Sequence, residues 1–145
     1  MAEPNSIYDT YRPPNFHTIN PYITTKDAPQ LIDFLKETFE AIELNRTVDN
    51  DTGRILNCIL QMGDSCFMVG QPTMSDDHAT RTPGMMFYLF VKDPDAVYER
   101  AIKSGVCTSV MKVDDMPYGD RQGGIRDCSG NVWWISKRIK NEPYK

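Results

Sequence analysis

The spacing of apolar positions changes several times along the chain, and each change marks an element. Thr18 to Thr25 is rich in β-branched and aromatic residues and predicts a strand. Leu31, Phe34, Leu35 and Phe39 then recur at helical spacing. Asp27 is a suitable N-cap for that helix, and Pro29 falls in its first turn, where a missing N–H costs nothing. The helix is expected to end near Glu40. A short strand over Ile42–Thr47 and a polar turn, Asp49-Asn50-Asp51-Thr52-Gly53, follow. From Ile55 to Met62 the period becomes two: Leu56, Cys58, Leu60 and Met62 share one face, and Asn57, Ile59 and Gln61 the other. Gly63-Asp64 is a two-residue hairpin signal, with Ser65 to Val69 as the returning strand.

A turn-rich segment, residues 71–84, separates this half from the next. Met85 to Val91 predicts a strand. Asp93 caps a second helix that Pro94 opens, Val97, Ala101 and Ile102 stripe, and Gly105 stops. Cys107 to Lys112 reads as a strand. Val113 to Gly124 reads as a long loop. Ile125 to Cys128 leads into a Ser129-Gly130 turn, and Val132 to Ser136 closes the pattern. Residues 1–17 form an arm, and 137–145 a charged tail.

The two halves follow one plan at an offset of 66 residues. Thr25-Lys26-Asp27 matches Val91-Lys92-Asp93, and Cys66-Phe67-Met68-Val69 matches Val132-Trp133-Trp134-Ile135. Such a repeat constrains the fold more than any single motif. It predicts an α+β chain of two tandem βαβββ modules, residues 18–70 and 85–136. Each helix would cover one face of a four-stranded antiparallel sheet, and the other faces would curve toward each other around a cleft.

Composition narrows the class. The 145 residues are 40% hydrophobic and 25% charged, ordinary for a globular protein with a real core. No apolar run approaches the roughly 20 residues of a membrane helix, and the N-terminus lacks an apolar signal core, so a cytoplasmic protein without membrane contact is expected. The net charge is −4 with no basic stripe, which argues against nucleic acid. Cys58, Cys66, Cys107 and Cys128 show no CxxC spacing and are read as reduced, buried thiols.

At this point the residues support a resemblance. Pro21-Tyr22-Ile23-Thr24 with Asp27 and Ile32-Asp33-Phe34, then Met62-Gly63-Asp64-Ser65, Tyr118-Gly119-Asp120-Arg121 and Arg126-Asp127-Cys128-Ser129-Gly130-Asn131-Val132-Trp133 fall in the order and spacing of one family. The chain resembles the vicinal oxygen chelate superfamily, which contains glyoxalase I, the bleomycin-resistance proteins and the extradiol dioxygenases, and within it the PhnB-like branch. The likeness spans residues 18 to 136. It implies a homodimer and a ligand site in the cleft. Metal enzymes of the superfamily take one ligand from the first and last strand of each repeat. Alignment puts those positions at Asn20, Met68, Met86 and Trp134. Neither thioether nor indole suits a divalent transition metal, and asparagine is a poor ligand. No metal and no cofactor is therefore expected. His17 and His78, the latter beside Asp76 and Asp77, read as surface residues.

The same alternation places Asn20, Tyr22, Asn57, Ile59, Gln61, Met68, Met86, Tyr88, Phe90 and Trp134 on the inner faces, with Tyr118 at the mouth. An aromatic, thioether-rich lining suits a small aromatic or amphipathic molecule, held for sequestration or resistance. Asp120, Tyr118 and Arg121 are the candidates for catalysis if the protein is instead a metal-independent lyase or isomerase of a small carbonyl compound. Arg126 and Asp127 are read as fixing the turn. A metal-dependent lyase or dioxygenase requires other ligand positions. Two sheets closed on each other would make the lining simply core.

Overall fold

The computed structural model describes residues 15–17, 19–72 and 85–142. Most of the expected arm and linker, with Asp76, Asp77 and His78, lies outside the described residues, as do Thr18 of the first module and the end of the tail. The chain divides into two compact units, Met1–Thr80 and Arg81–Lys145. Among the described residues no helix is long and apolar enough to cross a membrane.

The first unit runs β1 (Tyr22–Thr24), α1 (Ala28–Phe39), β2 (Ile42–Val48), β3 (Ile55–Met62) and β4 (Ser65–Gly70). Leu31, Ile32 and Leu35 of α1 are wholly buried, and Phe34 and Phe39 nearly so. Each such side chain contributes roughly 1.5–3 kcal/mol by burial. The helix packs on β3 and β4, whose Cys58, Leu60, Phe67 and Val69 are buried. Asp27 occupies the N-cap, but its side chain makes no capping bond. Its own N–H is held instead by Thr25 Oγ1 at 3.1 Å. The alternation in β3 also breaks at its start. Val48 pairs with Ile55 and Thr47 with Asn57, leaving Leu56 in a bulge. Ile55 is buried and Leu56 is exposed as a result.

The second unit runs β5 (Met86–Phe90), α2 (Pro94–Lys103), β6 (Thr108–Asp115), β7 (Asp120–Arg126) and β8 (Val132–Arg138). Asp93 caps α2 as expected, accepting from Ala96 N–H at 3.1 Å. Gly105 follows the helix at φ +71°, in the left-handed region.

The strand orders are β1-β4-β3-β2 and β5-β8-β7-β6. Neither sheet is purely antiparallel, because β1 joins β4 and β5 joins β8 in parallel. The chain leaves β1 through a helix and two further strands before β4 comes back beside it, and that path makes the two strands run the same way.

Two further expectations are corrected. The long loop Val113–Gly124 is in fact a four-residue turn, 116–119, between strands β6 and β7. Asp120, Gln122, Gly123 and Gly124 are weak strand formers, but β7 is paired on both sides, with β6 and β8, and that pairing overrides propensity. The tail beginning at Lys137 is likewise part of β8, through Arg138.

Candidate functional site

In the second unit the register assigns every side chain to a face. Phe87, Trp133 and Ile125 pair across β5, β8 and β7, as do Leu89, Ile135 and Gly123. This set faces α2: a side chain at Gly123 would meet the Tyr98 ring of α2 at 3.1 Å. The opposite face carries Tyr88, Trp134 and Gly124 in one row and Phe90, Ser136 and Gln122 in the next. Here Met86 is 70% exposed, Phe90 56% and Tyr88 46%. The Tyr88 and Phe90 rings lie 5.2 Å apart. Trp134 lies over Gly124, where an added Cβ would come within 2.5 Å of its ring.

Beneath these rings is a buried polar network. Asp120 is fully buried, and its Oδ1 accepts from Arg138 Nη1 at 3.1 Å. The Tyr88 hydroxyl donates to Asp120 Oδ2. The Tyr118 hydroxyl donates to Gln122 Oε1. Gln122 Nε2 donates to Ser136 Oγ at 2.7 Å, and Ser136 donates to the Trp134 carbonyl at 3.3 Å. Arg138 Nη1 also donates to the Tyr118 carbonyl at 2.6 Å, so one guanidinium joins the turn to the carboxylate. Burial, reinforced by the Asp120 carboxylate, pushes the Tyr88 hydroxyl well above the usual tyrosine range.

In the first unit Tyr22 pairs with Met68, and Met68 with Ile59, on one face. Asn57 Nδ2 donates to Met68 Sδ at 3.3 Å, and the Tyr22 hydroxyl donates to the Leu56 carbonyl at 3.1 Å. Gln61 Nε2 turns to the Gly63 carbonyl at 3.0 Å. Asn20 precedes β1 and is absorbed in a local turn. Its Oδ1 accepts from His17 N–H at 2.8 Å, and its Nδ2 donates to the His17 carbonyl at 2.7 Å.

The structure thus brings Met86, Tyr88, Phe90, Trp134, Tyr118 and Asp120 to one face of the second unit. Arg121 is not among them. It sits on the α2 side, bidentate to Asp95 at 2.7 and 2.8 Å and bonded to Asp115 at 2.9 Å. Asp95, then Asp115, raises its pKa, and Arg121 in turn holds Asp95 below the usual carboxylate range. Both of its edges are thereby committed to carboxylates rather than to a ligand. The cation beside Asp120 is Arg138, a residue of the expected tail that strand β8 takes in together with its neighbour Lys137. Continued alternation of Trp134, Ser136 and Arg138 along β8 was the signal that could have found it. Arg126 and Asp127 serve the turn: Arg126 Nη1 reaches the Gly130 carbonyl at 3.2 Å, and Asp127 Oδ1 accepts from Ser129 N–H at 2.8 Å.

The register also bears on metal chemistry. Of the expected ligand positions, Met68 pairs with Tyr22 rather than Asn20, and Trp134 with Tyr88 rather than Met86, the two pairs again 66 apart. A phenol must lose its proton to bind a divalent ion well, yet the Tyr88 hydroxyl donates its proton to the buried Asp120 carboxylate. Thioether and indole add no suitable donor. This donor set does not fit a catalytic transition metal. Among the described residues no three His, Cys, Asp or Glu side chains converge to hold one.

Comparison with known proteins agrees with the fold. The protein Mb0911c of Mycobacterium bovis is 29% identical over 130 residues, covering 84% of each chain. The crystal structure of TioX from Micromonospora sp. ML1 superposes with a TM-score of 0.67 at 23% identity, covering 83% of this chain and 98% of that one. A PhnB protein from Bacillus cereus does so at 0.63 and 11% identity, covering 83% and 99%. At such identities the structural likeness concerns the fold. The family model of the glyoxalase/bleomycin resistance protein/dioxygenase superfamily matches residues 16–135, nearly the whole described chain, and the protein belongs to that superfamily.

Proposed function

We propose that this protein binds a small aromatic or amphipathic molecule, without a metal, against the open face of the β5-β8-β7-β6 sheet. One observation carries the reading: Met86, Tyr88, Phe90 and Trp134 form a contiguous aromatic and thioether surface, much of it exposed, over a closed polar network. Flat rings on a rigid sheet stack with flat ligands at little entropic cost. An exposed apolar patch of this kind on a soluble fold is a binding surface more often than an accident. Sequestration of a toxic or signalling molecule needs nothing further. The resemblance also implies a cytoplasmic homodimer. Support comes from Ile42, Leu44 and Val48, which stand exposed on the edge strand β2, where a second copy would shield them.

The test is a titration of flat aromatic compounds followed by tryptophan emission. Trp133 is buried and Trp134 is not, so saturable quenching should disappear in Trp134→Phe. Quenching that survives that substitution, or that never saturates, refutes the site. Stoichiometric tightly held nickel, zinc, iron or manganese in protein purified from its own host refutes the metal-free part.

A second reading is a metal-independent lyase or isomerase acting on a small carbonyl compound. The Tyr88–Asp120 hydrogen bond favours it, since it links an exposed phenol to a buried carboxylate and so puts two acid–base groups at one face. Asp120→Ala should then abolish turnover while leaving ligand affinity measurable. A carbonyl panel that is never consumed removes this reading.

A further inference from the structure

The polar network on the second unit's sheet has a fixed direction, and that direction selects among ligands. At one end stands the Asp120 carboxylate, bonded to Arg138, which accepts and does not donate. The Tyr88 hydroxyl proton is therefore committed inward. Further along, the Ser136 proton goes to an acceptor, the Trp134 backbone carbonyl or the neighbouring Tyr88 oxygen. Ser136 Oγ must then accept from Gln122, so the Gln122 amide turns its Nε2 to Ser136 and its oxygen toward Tyr118. An amide oxygen only accepts, and the Tyr118 proton is committed inward as well. Two hydroxyls that could in isolation serve as donor or acceptor are thus reduced to acceptors. Tyr88 and Tyr118 are 46% and 48% exposed, whereas Gln122 and Asp120 are buried. What the face offers a ligand is phenolic oxygen lone pairs, set among the Tyr88, Phe90 and Trp134 rings. The negative face of an aromatic ring attracts cations for the same electrostatic reason that a lone pair attracts a donor.

We infer that the ligand bound here is a planar aromatic that carries a hydrogen-bond-donating cation, such as a protonated amine, and that carboxylates are disfavoured. The inference rests on the open face being the binding site. Its test compares three probes of nearly one shape: naphthylmethylammonium, naphthylmethanol and naphthoate. Each is titrated into the full chain by calorimetry and by NMR shifts of the methionine methyls. The ammonium should bind tightest and naphthoate weakest, with about tenfold between the two ends. Because a net negative protein attracts any cation weakly, Tyr118→Phe is the deciding variant. It removes one acceptor and no charge, so it should shrink the preference for ammonium over alcohol by about threefold. Naphthoate binding as well as the ammonium overturns the inference and leaves the site reading intact, and so does an ammonium preference unchanged in Tyr118→Phe. If none of the three probes binds, the site reading itself fails and the inference falls with it.

Discussion

Arg138 Nη1 lies 3.1 Å from Asp120 Oδ1, and Asp120 is completely buried. The two residues belong to adjacent strands and stand directly opposite each other. Truncating one member of a buried pair strands the other, at a cost of about 3–5 kcal/mol. Arg138→Ala should therefore lower stability in urea by that order, somewhat less because Tyr88 still donates to Asp120. The double variant Asp120→Ala with Arg138→Ala should cost less than the sum of the single losses, because no charge is left unpaired. Strict additivity would show that the pair is not coupled.

Gly124 is a strand residue without a side chain because the Trp134 ring fills the space a side chain would take. A Cβ there would meet Trp134 Cζ3 at 2.5 Å and Cε3 at 2.8 Å. Gly124→Ala must push the indole off the sheet, which costs about 1–3 kcal/mol for an overpacked site. It should also change tryptophan emission and weaken aromatic ligands. Emission and stability both matching the parent protein would mean that the ring does not rest on Gly124.

Legibility in the sequence varied with the physics that decides each residue. Elements set by periodicity were readable: α1 from Leu31, Phe34, Leu35 and Phe39, and β3 from its alternation. Turns set by backbone conformation were readable too, as at Gly63, where φ is +58°. Strand β7 was not, since Asp120, Gln122, Gly123 and Gly124 carry no strand preference and are held by neighbours distant in sequence. The Arg138–Asp120 pair was hidden for the same reason, as was the choice of Arg121 for Asp95 on α2. Alternation placed Tyr22 and Tyr88 on the same strands as Asn20 and Met86. Only the register showed that the tyrosines are the partners of Met68 and Trp134.

Glu43 offers a pH-dependent test in the first unit. Arg46 meets it twice, at 2.8 and 3.0 Å, and Lys36 once, at 3.3 Å. The Arg46 hydrogen bonds hold its carboxyl below the ordinary glutamate range, with Lys36 assisting and partial burial opposing. A lowered folded pKa means stability that is present above the unfolded value and is lost as pH falls through the folded one. The parent should thus exceed Glu43→Gln at neutral pH by less than about 1 kcal/mol, given the exposure of the site. That gap should close on acidification and shrink in high salt. A gap that widens as the pH falls would reverse the sign and exclude the ion pair as its source.

Asp127 is the residue on which the β7–β8 turn depends. Its Oδ1 accepts from Ser129 N–H at 2.8 Å and Asn131 N–H at 3.0 Å, and its Oδ2 from Asn131 Nδ2 at 3.1 Å and Trp133 Nε1 at 2.7 Å. Asn131 is fixed by these bonds, and its Oδ1 holds the Met85 N–H at 3.0 Å, just before β5. One carboxylate thereby sets the turn, the ring of Trp133 against Phe87, and the entry of the strand that carries Tyr88. Asp127→Ala leaves buried donors unpaired and should cost about 3 kcal/mol in urea unfolding. Asp127→Asn should fall between it and the parent, because one amide oxygen can serve some of the donors while the NH2 group opposes the others. The loss should reach the open face as well, lowering aromatic-probe affinity although Asp127 itself lies off that face. A stability loss with unchanged probe affinity would show instead that β5 holds its position without the Asn131 link.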